Sequence, residues 1–243
     1  MKIDINCDVG EGVENEYLMM PYISSCNIAC AGHFGDVNSI DKTIQLAIKN
    51  KVKIGAHPSF PDKENFGRKL IKISDDDFTK SIQSQIDLFL ERLKFFDEKL
   101  HHVKPHGALY NAIAVDEKLA ILFIKTIKKY LNDVFLYVPY SSVIEEVALK
   151  NDIKIKYEAF ADRNYNDDLT LVSRTQKNAL LIDENEVLNH VLFMVKKDKV
   201  KTISGLEKPI IANTFCIHSD TKNALEIVKY LNKNLKKEGF KIG

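Results

Sequence analysis

Four histidines, His33, His57, His106 and His218, fall just after short apolar runs, each in company with carboxylates, glycines or a lysine. Six polar segments share this pattern: Asn6-Cys-Asp-Val-Gly-Glu11, Cys30-Ala-Gly-His-Phe-Gly-Asp36, the stretch from Gly55-Ala-His-Pro-Ser-Phe-Pro-Asp62 to Asn65-Phe-Gly-Arg68, Lys104-Pro-His-Gly-Ala-Leu-Tyr-Asn111, Glu158-Ala-Phe-Ala-Asp-Arg163 and Cys216-Ile-His-Ser-Asp220. Their residue types suit hydrolysis. A carboxylate such as Asp8, or a neutral imidazole, accepts a proton from water, and an imidazolium or ammonium stabilises a developing oxyanion. Lys104, Arg68 and Arg163 are candidates for holding an anion. Taken singly, Asp8 and Asp36 are as well explained as helix caps, and His33 and His218 as satisfied core histidines; it is their common placement that points to function. His101 and His102 at the start of a strand, and His190 within a helix, are assigned to structure or solvent.

A metal centre is the rival chemistry, since Asp8 with two of His33, His57 and His106 supplies one carboxylate and two imidazoles. The expectation adopted is no tightly bound metal. The sequence has no G-x-S-x-G, no G-x-x-x-x-G-K-[ST] and no G-x-G-x-x-G, so neither a serine nucleophile elbow nor a recognised nucleotide loop is present. Cys7, Cys26, Cys30 and Cys216 lack the spacing of a disulfide framework or a structural zinc site and are expected to be reduced and buried.

The elements that must position these groups alternate. Apolar runs at 2–6, 25–29, 52–56, 101–104, 134–138, 154–158 and 210–216 predict strands, and amphipathic segments at 37–50, 75–99, 116–131, 141–151, 184–197 and 220–238 predict helices. Ser74 before three aspartates marks one helix start, and Gly239 marks a stop. The stretch 55–68, with Pro58, Pro61, Gly55 and Gly67, is expected to be a loop, and 159–182 is a long connection of the kind that carries function. Strand–helix alternation implies a mainly parallel sheet with right-handed crossovers, and in a parallel barrel all the polar segments lie on one rim. The 243 residues are expected to form one domain.

With 35 basic and 34 acidic residues the formal net charge is +1, and the lysines are spread over helical faces, which argues against nucleic acid as a partner. No window approaches the roughly 18 apolar residues of a membrane span, and the amino terminus lacks the pattern of a signal peptide, so the expected location is the cytoplasm.

At these segments the sequence closely resembles the LamB/YcsF family. The resemblance implies an α/β fold, a distorted seven-stranded parallel β/α barrel, TIM-like and related to the glycoside hydrolase and deacetylase barrels. It also implies ATP-driven opening of 5-oxo-L-proline to L-glutamate, with ATP as co-substrate together with Mg, and with 5-oxoprolinase subunits B and C as partners. On that basis the catalytic candidates are Asp8, His57, Lys104 and His106: Asp8 or His57 as base, Lys104 and His106 on developing charge. Asn6, Glu11, His33, Asp36, Arg68, Asn111, Asp162, Arg163 and His218 are the substrate-binding candidates, with Arg68 or Arg163 on a carboxylate or phosphate. Alternatives are a metal-dependent deacetylase or carbohydrate hydrolase on the same rim, and a non-catalytic subunit that binds a small acid. Three departures from the family pattern stand out: Phe34 occupies a position where a small residue is usual, Ser219 replaces a glycine, and Asp167-Asp168-Leu169-Thr170 lacks one.

Overall fold

The computed structural model describes residues 1–243. In chain order its elements are β1 (Lys2–Val9), α1 (Glu16–Met19), β2 (Ser25–Ala29), α2 (Val37–Asn50), β3 (Lys53–His57), α3 (Asp75–Phe95), β4 (His102–Val103), α4 (Gly107–Ile113), α5 (Glu117–Ile127), β5 (Phe135–Pro139), α6 (Val143–Lys150), β6 (Ile155–Phe160), α7 (Glu184–Lys197), β7 (Lys199–Lys201), β8 (Glu207–Pro209), β9 (Thr214–His218), α8 (Ala224–Lys237) and β10 (Lys241–Ile242). The strand order is β10-β1-β2-β3-β4-β5-β6-β9, and β1 pairs also with β9. Seven strands therefore close into a parallel β/α barrel, with β10 added beside β1 in register Lys2↔Lys241.

The chain groups into two compact units. One comprises Asp8–Gly12 and Cys26–Lys156. Its strands are short and buried along nearly their whole length, as expected where helices cover a parallel sheet. Helix α2 begins at a reciprocal cap, in which the Asp36 carboxylate accepts from Ser39 N and the Ser39 hydroxyl accepts from Asp36 N. Ile40, Ile44 and Ala47 form its buried face. Helix α3 starts at the Ser74 cap with Asp75, Asp76 and Asp77 in its first turn, and turns Ile82, Ile86, Phe89 and Leu93 inward.

The other unit comprises Met1–Cys7, Val13–Ser25 and Tyr157–Gly243. Here Asp183 caps α7 through Asn185 N and Glu186 N, and α8 buries Ile227, Val228, Leu231 and Leu235 before Gly239 at φ +87° ends it. Asp4 accepts from Ser25 and Thr214 hydroxyls at 2.6 Å each, tying β1, β2 and β9 together.

Several boundaries differ from the sequence expectation. Residues 55–57 belong to β3, so the loop begins only at Pro58. Strand β4 has two residues, because Pro105 has no N–H to extend the ladder. The strand expected at 210–216 begins only at Thr214 and runs to His218, and ahead of it β7 and β8 form an antiparallel hairpin that the period did not reveal. Helix α8 starts four residues late since Asn223 is left-handed at φ +64°. Helix α3 stops at Phe95, and the segment 116–131 ends in a 3₁₀ turn over Lys128–Tyr130. Helices α1 and α4 and strand β10 were not expected at all; each is too short to show a period. All four cysteines are buried, and none is in a disulfide.

Candidate active site

The first unit gathers Asp8 and Glu11 from the end of β1 and the turn after it, His33 from after β2, His57 from the last position of β3, and Lys104 and His106 from after β4. All six are buried, with His57 fully enclosed and Lys104 only 2% exposed. Two loops are pressed together to achieve this. Gly67 is left-handed at φ +62°, and a Cβ there would stand 2.9 Å from both His106 Cδ2 and His33 Cβ. Gly107, also left-handed, would drive a Cβ to 2.7 Å from the Gly67 carbonyl oxygen, which instead accepts from Ala108 N at 2.9 Å. Glutamine Gln85 on α3 clamps the loop base, its amide accepting from Ser59 N and donating to Ser59 O at 2.9 Å each.

Within the cluster, Lys104 Nζ donates to Asp8 Oδ1 at 2.8 Å. His57 Nδ1 donates to the Lys104 carbonyl at 2.6 Å, which leaves its Nε2 facing His106 Nδ1 at 2.9 Å and Asp8 Oδ2 at 3.4 Å. His106 Nε2 donates to the Phe66 carbonyl at 2.9 Å, so its Nδ1 is turned toward His57 and, at 3.2 Å, Glu11 Oε1. His33 Nε2 lies 2.9 Å from the same Glu11 oxygen, its ring stacked on that of His106 with centroids 3.7 Å apart, and its Nδ1 has no hydrogen-bond partner. Burial pushes His33 down to about 4, against the opposing pull of Glu11, and burial lowers His106 as well. Both rings are therefore neutral at pH 7. Burial would raise Glu11, but its imidazole neighbours outweigh that effect and hold it below the usual carboxylate range.

A second line of groups supports Asp8, and the sequence reading missed it. Asn27 in β2 donates to Asp8 Oδ1 at 2.8 Å, and its carbonyl oxygen lies 2.6 Å from His102 Nε2. His102 is fully buried and stacks on Tyr137 at 3.9 Å. Since only a protonated Nε2 can donate to Asn27, the tautomer of His102 is set, and its Nδ1 accepts from His101 Nδ1 at 2.9 Å. His102 is therefore a strand residue behind the site and not a solvent contact. The available signal was Asn27 itself, an amide in the middle of a fully buried strand.

The remaining candidates are placed as follows. Asp36 caps α2. Asn111 is exposed on α4, and Arg68 is exposed with its guanidinium over the Phe66 ring at 4.9 Å. In the other unit, Asn6 donates to Glu158 and Thr214 at 2.9 and 2.7 Å. Asp162 accepts from the backbone N and Nδ1 of His218 and from the Thr221 hydroxyl, the last at 2.6 Å. Arg163 donates to the Val172 carbonyl at 2.7 Å, and burial lowers its pKa. Phe34 is tilted against Phe66 with centroids 5.9 Å apart and lies over Gly12, where a Cβ would meet its ring at 2.4 Å.

The chain has counterparts among known proteins. The family model for the LamB/YcsF family matches residues 3–243. A protein from Campylobacter jejuni subsp. doylei, named as the A component of 5-oxoprolinase, is 40% identical over 248 residues, covering 99% of this chain and 96% of its own. Another of that name, from Pyrococcus horikoshii, is 38% identical over 249 residues, covering 100% and 97%. The crystal structure of a lactam utilization protein from Thermus thermophilus superposes with a TM-score of 0.92 at 33% identity, covering 100% of this chain and 99% of that one. A putative cellobiose-phosphate cleavage protein from Enterococcus faecalis shares the fold at TM-score 0.63 and 13% identity, over 100% and 96% of the two chains. No helix is long and apolar enough to cross a membrane.

Proposed function

Because the chain belongs to the LamB/YcsF family, we propose that it is the A component of an ATP-dependent 5-oxoprolinase, acting in the cytoplasm with subunits B and C to convert 5-oxo-L-proline to L-glutamate. The observation that carries this reading is the buried Lys104–Asp8 pair beside imidazoles whose free nitrogens point inward. A five-membered lactam is a poor electrophile, because its nitrogen lone pair is shared with the carbonyl. Transfer of a phosphoryl group from ATP, with Mg, to the lactam oxygen removes that resistance. Water then adds at the activated carbon, the ring C–N bond breaks to leave the amine and an acyl phosphate, and a second water releases phosphate.

The residues divide the work by what each offers. Asp8 Oδ2 and His57 Nε2 are acceptors for the proton of the attacking water. Lys104 is a buried cation for the charge that develops on oxygen or phosphate, and its attraction is strengthened by exclusion of solvent. His106 is assigned to the same charge, and Arg68, exposed with its guanidinium over Phe66, to a carboxylate or phosphate.

The deciding experiment follows glutamate and ADP with the chain alone and with B and C added. Glutamate formation coupled to ADP in the complete set, lost on alanine substitution of Asp8, His57 or His106 with the fold intact, is the expected result. Near-normal rates in all three variants would sink the assignment.

A further inference from the structure

His57 and His106 each spend one ring N–H on a backbone carbonyl, Lys104 O and Phe66 O respectively. A neutral imidazole fixed in this way presents a bare lone pair from its other nitrogen. His57 Nε2 then faces His106 Nδ1 at 2.9 Å, Asp8 Oδ2 at 3.4 Å and Glu11 Oε1 at 3.8 Å, and His106 Nδ1 faces Glu11 Oε1 at 3.2 Å. The two ring nitrogens, His57 Nε2 and His106 Nδ1, meet at 2.9 Å with both ring protons already spent on carbonyls, and a cation between them turns the repulsion of two lone pairs into bonding.

We propose that this is a binding site for one divalent first-row transition ion, with His57 Nε2, His106 Nδ1 and Asp8 Oδ2 as ligands and Glu11 Oε1 completing or adjoining the set. The Asp8, His57 and His106 ligand atoms all lie within 4.8 Å of one another. Around an ion with bonds of about 2.0–2.2 Å, tetrahedral ligand atoms stand about 3.3–3.6 Å apart, so the His57–His106 and His57–Asp8 separations of 2.9 and 3.4 Å need shifts of tenths of an ångström. The carbonyl partners of both rings are the outer hydrogen bonds that orient metal-binding histidines. Lys104 holds Asp8 by Oδ1, and Oδ2 is turned toward the rings.

The donor set selects the class of ion. Two imidazoles and one or two carboxylates suit zinc, manganese(II), iron(II) or cobalt(II), whereas magnesium and calcium favour all-oxygen surroundings. The nearby thiol is not a ligand, since Cys30 Sγ accepts from His57 N at 3.3 Å and donates to Ile28 O at 3.2 Å. A bound ion polarises a carbonyl or acidifies a water, and either fits hydrolysis. The inference runs against the sequence expectation of no tightly held metal, and it stands independently of the identity of the substrate.

The test uses the full chain, purified without chelator and without a histidine tag. Elemental analysis comes first, followed by calorimetric titration of chelator-stripped protein with Zn²⁺ and Mn²⁺, and visible absorption with Co²⁺. One ion per chain is expected, with a Co²⁺ spectrum of four- or five-coordinate nitrogen–oxygen ligation. His57→Gln and His106→Gln should each weaken binding by about a hundredfold or more, while Asp76→Asn at the exposed start of α3 leaves it unchanged. Absence of one-to-one binding overturns the proposal, as does equal affinity in both histidine variants. Should those variants not fold, a wild-type Co²⁺ spectrum of six-coordinate, all-oxygen type overturns it instead.

Discussion

Two histidine–carboxylate clusters look alike in the sequence and differ in the balance of donors and acceptors. Around Asp162 every bond has a donor at one end: the His218 backbone N–H, the His218 ring and the Thr221 hydroxyl all point at one carboxylate. Burial would raise Asp162, but these donors outweigh it and its pKa is lowered. In the cluster of Asp8, Glu11, His57 and His106, ring nitrogens and carboxylate oxygens face each other instead. The first arrangement holds its own fold together. The second is left poised for a proton, a cation or a substrate, and strain of that kind is what a working site stores.

The largest expected effect comes from removing the cation of the second cluster. Lys104→Met leaves the Asp8 carboxylate buried beside acceptors, so unfolding should become easier by about 3–5 kcal/mol. Turnover in the assembled enzyme should fall by about a thousandfold. Denaturant melts and a glutamate assay measure the two separately, and loss of one without the other would show that the pair is only structural or only catalytic.

A crossed pair of variants comes next. Asp162→Asn weakens three hydrogen bonds to a buried carboxylate and should cost about 2–3 kcal/mol, with turnover per folded molecule within about threefold of wild type. His106→Gln should do the reverse, ending turnover while changing stability by about 1 kcal/mol or less, because it removes an acceptor from a crowded site. If Asp162→Asn instead stops turnover at full stability, Asp162 belongs to the substrate, as its place in the sequence motif suggests.

How far the sequence could foresee this depended on the kind of signal. Helices at 37–50 and 184–197 were legible to the residue, since Asp36 and Asp183 announce their starts and the apolar period runs unbroken. The strand-end motifs carried Asp8, His33, His57, Lys104 and His106 to one place. Asn27 and His102 escaped because each lies inside a buried strand, where a lone polar residue is normally a satisfied core group. For Asp162 and His218 the motif recorded position after a strand but not the hydrogen bonds that tie the two together.

A half-buried histidine on α7 adds a pH test. Burial holds His190 at about 4, despite opposing interactions with the backbone at Phe160 and Arg163 and with Asp162. Its unfolded value is near 6.5, so between pH 6.5 and about 4 the unfolded chain binds the extra proton and stability falls as pH falls; above 6.5 this contribution is flat. The slope is at most one proton, about 1.4 kcal/mol per pH unit. Urea melts of His190→Gln from pH 4.5 to 7.5 should show a shallower acid loss by that amount, and an unchanged slope would mean that other groups carry it.

The smallest effect should be at Phe34, whose ring covers Gly12 and leans on Phe66 at the edge of the site. It is partly exposed and touches none of the reacting groups, so its deletion cannot act on the chemistry directly. Phe34→Ala exposes the Phe66 face that stacks edge-on against His33 and His106 at 5.2 and 5.5 Å. The expected cost is about 1 kcal/mol of stability and a few-fold rise in KM with kcat little changed, because a lost wall weakens ground and transition states alike. A fall in kcat at constant KM would instead place Phe34 among the groups that orient His33 and His106, and would move the boundary of the poised cluster outward to include it.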